Sequence, residues 1–295
     1  HRDHAALAAL ADHAVRRHYP ETAEAPAPHL ALFDAIVERQ ARLLAQWQLV
    51  GFIHGVMNTD NMSIAGETLD YGPCAFLDVY DPDTVFSSID SAGRYAYGNQ
   101  PPIAQWNLAR LAEAMLPLFD ADPTRAIALA NPSIERFVAR FEHHWLAGMR
   151  AKLGLATEES EDAALVAALL SWMHDTGADF TNTFRALATT DGVAALAPGD
   201  AAFATWRARW QARLGRQPQL PVEVAVLMQR SSPALIPRNH LVEAALGAAA
   251  DEGVLEPLNQ LLAALATPWD HAGVDSRFTR PAEPGARPYR TFCGT

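Results

Sequence analysis

Lysine is almost absent from this chain. Of 23 basic residues in 295, 22 are Arg and one, Lys152, is Lys, against 34 acidic residues. The resulting net charge of −11 excludes a general nucleic-acid binder, which needs an excess of Lys or Arg on at least one face. Cysteine is equally scarce. Cys74 and Cys293 are too few for a disulfide scaffold and form no C-x-x-C metal pair, so a reducing, cytoplasmic setting is expected. No stretch approaches the roughly 18 uninterrupted apolar residues of a membrane span. The opening His1-Arg2-Asp3-His4 holds no signal-peptide core and no initiator Met, so the chain reads as a processed or cut-down piece of something longer.

What is present is enough apolar material for a real core: 49% hydrophobic residues, 57 of them Ala, with only 19% charged. Helical spacing of apolar residues predicts helices over 2–18, 31–50, 103–119, 133–152, 160–174, 201–214, 241–252 and 256–266. Asn131-Pro132-Ser133 and Asp200 serve as starts for two of them. Between them, residues 52–80 change character, with Gly, Asn, Asp and Pro punctuating short β-type runs. Residues 62–64 and 68–70, separated by Ala65-Gly66-Glu67, read as a small hairpin. Residues 81–102 form a long loop, and 267–295, with four prolines, reads as an extended tail packed on the surface. The expected class is mostly α with a small β-hairpin insert, and the insert holds the polar residues that need explaining.

That insert begins His54-Gly55-Val56-Met57-Asn58-Thr59-Asp60-Asn61-Met62 and closes with Asp70-Tyr71-Gly72-Pro73. A protein-kinase C-terminal lobe uses the same order: a catalytic loop with a base Asp and a metal-binding Asn, a short hairpin, then an Asp-x-Gly turn with the second metal ligand. Asn61 and Asp70 would thus present two oxygens to one Mg²⁺ at the hairpin mouth. The departure is at the base. Counting five residues back from Asn61 lands on Val56, whose side chain cannot accept a proton, and the nearest carboxylate is Asp60. A displaced base suggests a different reacting phosphorus.

Bland readings suit the other polar features. His1-Arg2-Asp3 imitates a kinase loop, but Ala8 stands where the Asn is required. His143-His144 and His174-Asp175 lie on predicted helices, where adjacent side chains diverge by about 100° and rarely share a metal. Trp206 and Trp210, at i and i+4, are expected in the core, and His54 is expected to brace the loop rather than act as acid or base.

Across nearly its whole length the chain resembles the C-terminal part of the selenoprotein O family, kinase-like proteins that transfer AMP rather than phosphate. The strongest match is residues 54–62 followed by Asp70-Tyr71-Gly72-Pro73. Arg17-His18-Tyr19-Pro20-Glu21, residues 93–95 with 99–101, residues 149–155, residues 184–187, Ile236-Pro237-Arg238-Asn239-His240 and residues 293–295 support it. The resemblance implies Asp60 as catalytic base, Asn61 and Asp70 as metal ligands, and Asp70 also as a nucleotide contact. It implies ATP as substrate, Mg²⁺ (or Mn²⁺) as metal, and Ser, Thr or Tyr hydroxyls of client proteins attacking the α-phosphorus with release of pyrophosphate. A Cys or selenocysteine near the C-terminus is frequent in the family, which makes Cys74 and Cys293 a candidate redox pair.

Two alternatives stay open: a kinase-like phosphotransferase and a non-enzymatic pseudokinase scaffold. A kinase-like nucleotide site also needs a strand Lys and a helix Glu upstream of the loop. Only 53 residues precede His54, and none is Lys. The expectation is therefore a chain in two parts, a kinase-like C-terminal lobe over 1–266 and a tail over 267–295. Its N-terminal lobe is absent, and alone it is expected to be inactive and to bind ATP weakly or not at all.

Overall fold

The computed structural model describes residues 3–283 and 289–292. Helices dominate, in the order α1 (His4–His18), α2 (Pro28–Val50), α3 (Gln100–Phe119), α4 (Pro123–Lys152), α5 (Asp162–Thr176), α6 (Phe180–Leu187), α7 (Thr190–Leu196), α8 (Ala201–Leu214), α9 (Pro221–Ser231), α10 (Asn239–Asp251), α11 (Glu256–Leu265) and the single turn α12 (Ser276–Thr279). Between α2 and α3 lie two short strands, β1 (Phe52–Ile53) and β2 (Ala75–Phe76), paired antiparallel with Phe52 opposite Phe76 and Ile53 opposite Ala75. No described helix is long and apolar enough to cross a membrane.

Two apolar clusters organise the helices. In the first, α2 is the spine. Pro28 starts it, Gly51 ends it in the left-handed region at φ 74°, and Leu32, Phe33, Ile36, Val37, Leu44 and Trp47 bury one broad face against α1, α3 and α4. Asp34 of α2 fixes α4 across this interface, accepting from Ser133 Oγ at 2.7 Å and from Arg136 and Arg140 at 2.8 Å each. The second cluster gathers around α5, α6 and α8, where Trp206 and Trp210 stack at 5.6 Å between ring centroids and are buried. The β pair lies between the two. Successive side chains on a strand face opposite ways, so Phe52 enters the first cluster and Ile53 the second.

Several elements differ from the sequence reading. The helix expected from residue 133 starts at Pro123, with Asp122 accepting from the Thr124 and Arg125 amides at 2.8 and 3.3 Å. Pro132 lies inside it. A proline there costs about 3 kcal/mol in an isolated helix; here Ala126, Ala130, Ser133 and Phe137 are buried on one stripe, and their packing keeps the axis continuous. The hairpin expected at 62–70 is reduced to one antiparallel bridge, Met62 to Thr68, because its backbone acceptors are taken from outside. Gln40 donates to Ser63 O at 2.6 Å, Arg39 to Ala65 O at 3.4 Å and Tyr19 to Ile64 O, while Trp47 holds the Thr68 hydroxyl at 2.9 Å. Past residue 266, Thr279 and Thr291 are buried, and Thr291 forms a parallel bridge with Ser87.

Lys152 ends α4 in the second cluster and is 1% exposed. Its Nζ lies 4.4 Å from the Phe184 ring centroid and donates to Ser232 Oγ at 3.3 Å, with no carboxylate partner among the described residues. Burial pushes its pKa down to about 7, whereas the unfolded chain holds a lysine proton up to pH of about 10.4. Between those values the unfolded state binds more protons, so stability rises with pH; below about 7 the cost of the buried charge is fully present. Lys152→Met is expected to raise the melting temperature at pH 6 by roughly 2 °C or more and to flatten the stability rise between pH 7 and 10, read by thermal melts across that range.

Candidate active site

The polar excursion leaves β1 at Ile53 and returns through β2 at Ala75, so both of its ends are fixed by the same pair of strands. His54, the first residue out, is fully buried. Its Nε2–H donates to Leu69 O at 2.6 Å and its Nδ1 accepts from the Val56 amide at 3.4 Å, a pattern that requires the neutral ring. Burial lowers its pKa and supports the same form. One imidazole thereby ties the start of the excursion to the residue before Asp70, the bracing role expected of it.

Asp60 and Asn61 lie on a single 3₁₀ turn, Thr59–Asn61. Asn61 Nδ2 donates to Val56 O at 3.2 Å, which orients the amide and leaves Oδ1 as its acceptor. Asp60 is exposed and makes no side-chain hydrogen bond among the described residues. Asp70 sits at φ 56°, the one positive-φ non-glycine residue described, and its Oδ1 accepts from the Gly72 amide at 3.2 Å. Asp tolerates this region better than most residues because its short side chain can bond locally. Hydrogen bonds therefore run in a chain from Asn61 through Val56 and His54 to Leu69, connecting the two predicted metal ligands through backbone and imidazole. Val56, at the kinase base position, is buried, and the part of it facing Asn61 is its carbonyl.

Three positioning residues come from sequence-distant places and were not anticipated. Gln100, at the start of α3 and fully buried, donates to Phe52 O at 3.0 Å and accepts from the His54 amide at 3.0 Å. Asn107, two turns on, donates to Met57 O at 2.9 Å. Tyr95 donates to Asn58 Oδ1 at 2.7 Å. For Gln100 and Asn107 the signal is a polar amide on the apolar face of an amphipathic helix, which must find a buried partner. The histidines set aside earlier have ordinary contacts: His144 meets Glu38 at 2.6 Å and His174 lies 3.8 Å from Asp81. Asp3 caps α1 through the Ala6 amide at 2.9 Å.

Asn61, half-buried, and Asp70, exposed, both offer hard oxygen donors. Among the described residues no group of three or more His, Cys, Asp or Glu is placed to hold a metal. An amide oxygen and one carboxylate suit Mg²⁺, which commonly takes one or two protein oxygens and completes its shell with phosphates and water. Cys74 is half-buried four residues past Asp70, and burial pushes its thiol pKa up to about 11. Cys293 lies outside the described residues.

Residues 1–266 match the family described as protein adenylyltransferase SelO. The chain is 56% identical over 290 residues to protein nucleotidyltransferase YdiU of Halalkalibacterium halodurans, 54% over 291 to that of Alkaliphilus metalliredigens and 53% over 294 to that of Rhizobium johnstonii. These alignments cover 98%, 98% and 97% of this chain and 59% of each relative, so the chain spans about three-fifths of their length. The chain belongs to the protein adenylyltransferase SelO family.

Gly55 is the tightest point of the loop. At φ 83°, an added Cβ would lie 2.6 Å from Pro73 O. Gly199 has nearly the same φ, 81°, but open space around it. Gly199→Ala is expected to cost about 1 kcal/mol of unfolding free energy from backbone strain alone. Gly55→Ala is expected to cost about 2 kcal/mol or more, because residues 54–56 and 73 must also separate. Urea unfolding of the two variants side by side measures the difference.

Proposed function

We propose that this chain forms the kinase-like, loop-bearing side of a protein adenylyltransferase site, residues 1–266 serving as that lobe and 267–295 as its tail. The reaction is transfer of AMP from ATP to a Ser, Thr or Tyr hydroxyl of a client protein, with pyrophosphate leaving. The observation that carries the reading is the tie between Asn61 and Asp70 through Val56, His54 and Leu69, which holds two oxygen-bearing side chains and the exposed Asp60 on one hydrogen-bonded excursion. Family membership supplies the chemistry that such a rim would serve.

In this reading Asp60 accepts the proton of the attacking hydroxyl and orients its oxygen; its exposure and free side chain suit a group that meets a second macromolecule. Asn61 Oδ1 and Asp70 would hold Mg²⁺, which when bound supplies positive charge against the phosphates. Asp70 would also contact the nucleotide. The positive φ of Asp70 and the amide anchoring of Asn61 fix both donors before substrate arrives, so little reorganisation accompanies reaction. Buried, apolar Val56 disfavours a γ-phosphoryl transfer that uses a base at the kinase position. A cytoplasmic site of action accords with the low cysteine count.

Cys74 and Cys293 are proposed as a redox pair. Thr291 Oγ1 donates to Pro73 O at 2.8 Å, which carries the chain two residues before Cys293 up to the neighbour of Cys74. Thiol counting on native protein, oxidised and reduced, is expected to give none and two; two in both states would remove the pair.

The function is tested with the full-length protein, client extract and ATP labelled at the α or γ position. Label is expected to enter protein from α only, and Asp60→Ala and Asp70→Ala are each expected to lower it by roughly 100-fold or more. Incorporation from γ alone would establish a phosphotransferase, and none from either would favour a scaffold.

A further inference from the structure

Thr291 is far from the polar excursion in sequence and touches it in space. It is 6% exposed, and its Oγ1–H donates to Pro73 O at 2.8 Å across a separation of 218 residues. Its own backbone is fastened in both directions: the Thr291 amide donates to Phe86 O at 2.8 Å, and its carbonyl accepts from the Ser88 amide at 3.0 Å. The hydroxyl is therefore presented by a held segment. Pro73 is buried as well, and this is the one hydrogen bond that its carbonyl accepts among the described residues. A buried carbonyl left without a donor costs free energy, so loss of the hydroxyl drives the chain at Pro73 to turn toward water.

What moves with Pro73 is the turn that contains Asp70. Locally that turn is closed by two long bonds, from the Gly72 amide to Asp70 Oδ1 at 3.2 Å and from the Cys74 amide to Tyr71 O at 3.4 Å, and Tyr71 and Gly72 are exposed. Its firm points lie on either side: His54 Nε2 on Leu69 O just before Asp70, and Thr291 Oγ1 on Pro73 O three residues after it. A non-glycine residue at φ 56° keeps that conformation where its surroundings over-determine it. We propose that Thr291 is a positioning residue for the metal turn, its hydroxyl holding Asp70 in the conformation that would meet the metal. The inference rests on the reading of Asp70 as a metal ligand, and Thr291 acts on the metal only through Asp70.

The test uses the full-length protein and Mn²⁺ as the probe, its binding followed by loss of the free-ion paramagnetic resonance signal. Thr291→Val, which removes the hydroxyl and keeps the shape, is expected to weaken Mn²⁺ by roughly ten-fold or more. Thr291→Ser, which keeps the hydroxyl, is expected to restore the affinity. Hydrogen exchange over residues 70–76 is expected to speed up in Thr291→Val and not in Thr291→Ser. Asp70→Ala is the reference for the metal reading. If Asp70→Ala weakens Mn²⁺ and Thr291→Val only lowers the melting temperature, Thr291 is a structural residue and the proposal fails while the metal reading stands. If Asp70→Ala leaves Mn²⁺ unchanged, the metal reading fails and the role proposed for Thr291 fails with it. Unchanged exchange over residues 70–76 in Thr291→Val overturns the proposal whatever the metal does. Thr291→Ala serves as the second hydroxyl-free variant should Thr291→Val not fold.

Discussion

A buried, neutral histidine sets the geometry on which the rest of the rim depends. His54 is removed from water, so the charged imidazolium is disfavoured, and the neutral ring has one donor and one acceptor to place. It places them on Leu69 O and the Val56 amide, two backbone groups 13 residues apart, and so closes the polar excursion at its base. Once that closure exists, Val56 O is fixed for Asn61 and the chain before Asp70 is fixed as well. The close approach of Gly55 to Pro73 reinforces it from the other side. Aromatic packing keeps the ring in place: Trp47 lies 5.3 Å from it and Phe52 meets it edge-on at 6.4 Å.

The excursion is stiff because it springs from between two cores. Four strand residues are a small sheet, marginal if isolated. Here Phe52 and Ile53 are locked into opposite apolar clusters, and Gln100 fastens their backbone from a helix nearly fifty residues away. The burial that stabilises the body is thus used directly to hold a polar, solvent-facing loop. Val56 and Met57 at the start of the loop are buried in the first cluster; further along, its backbone carbonyls are held by side chains of α2 and α3.

This division explains what was legible in the sequence. Helices with long apolar stripes were readable, α2 and α8 above all, because their periodicity reports their own burial. The short α6 and α7 were not. Each is held by one cap, Asp179 on the Asn182 amide at 2.7 Å and Thr189 on the Gly192 amide at 3.1 Å, and by packing against distant helices. Pro132 read as a beginning because local propensity favours that, and tertiary burial overrode it. The motif from His54 to Pro73 stood out through its spacing, but Gln100, Asn107 and Tyr95 did not. An amide buried on a helix has no local pattern, and its partner is visible only once the chain has folded back. The candidate hairpin keeps only the Met62–Thr68 bridge, its turn carbonyls being claimed by Tyr19, Arg39 and Gln40.

Burial of the single lysine has a consequence for the chemistry of the surface. With Lys152 enclosed by Phe184 and Ser232, no side-chain amine of the described residues reaches solvent, and the exposed basic groups there are guanidinium or imidazole. Guanidinium groups resist acylation and keep their charge across the physiological range. Acetyl transfer, isopeptide tagging and amine-directed cross-linking therefore find no side-chain target on this surface, and its positive charges are ones that such reactions cannot erase.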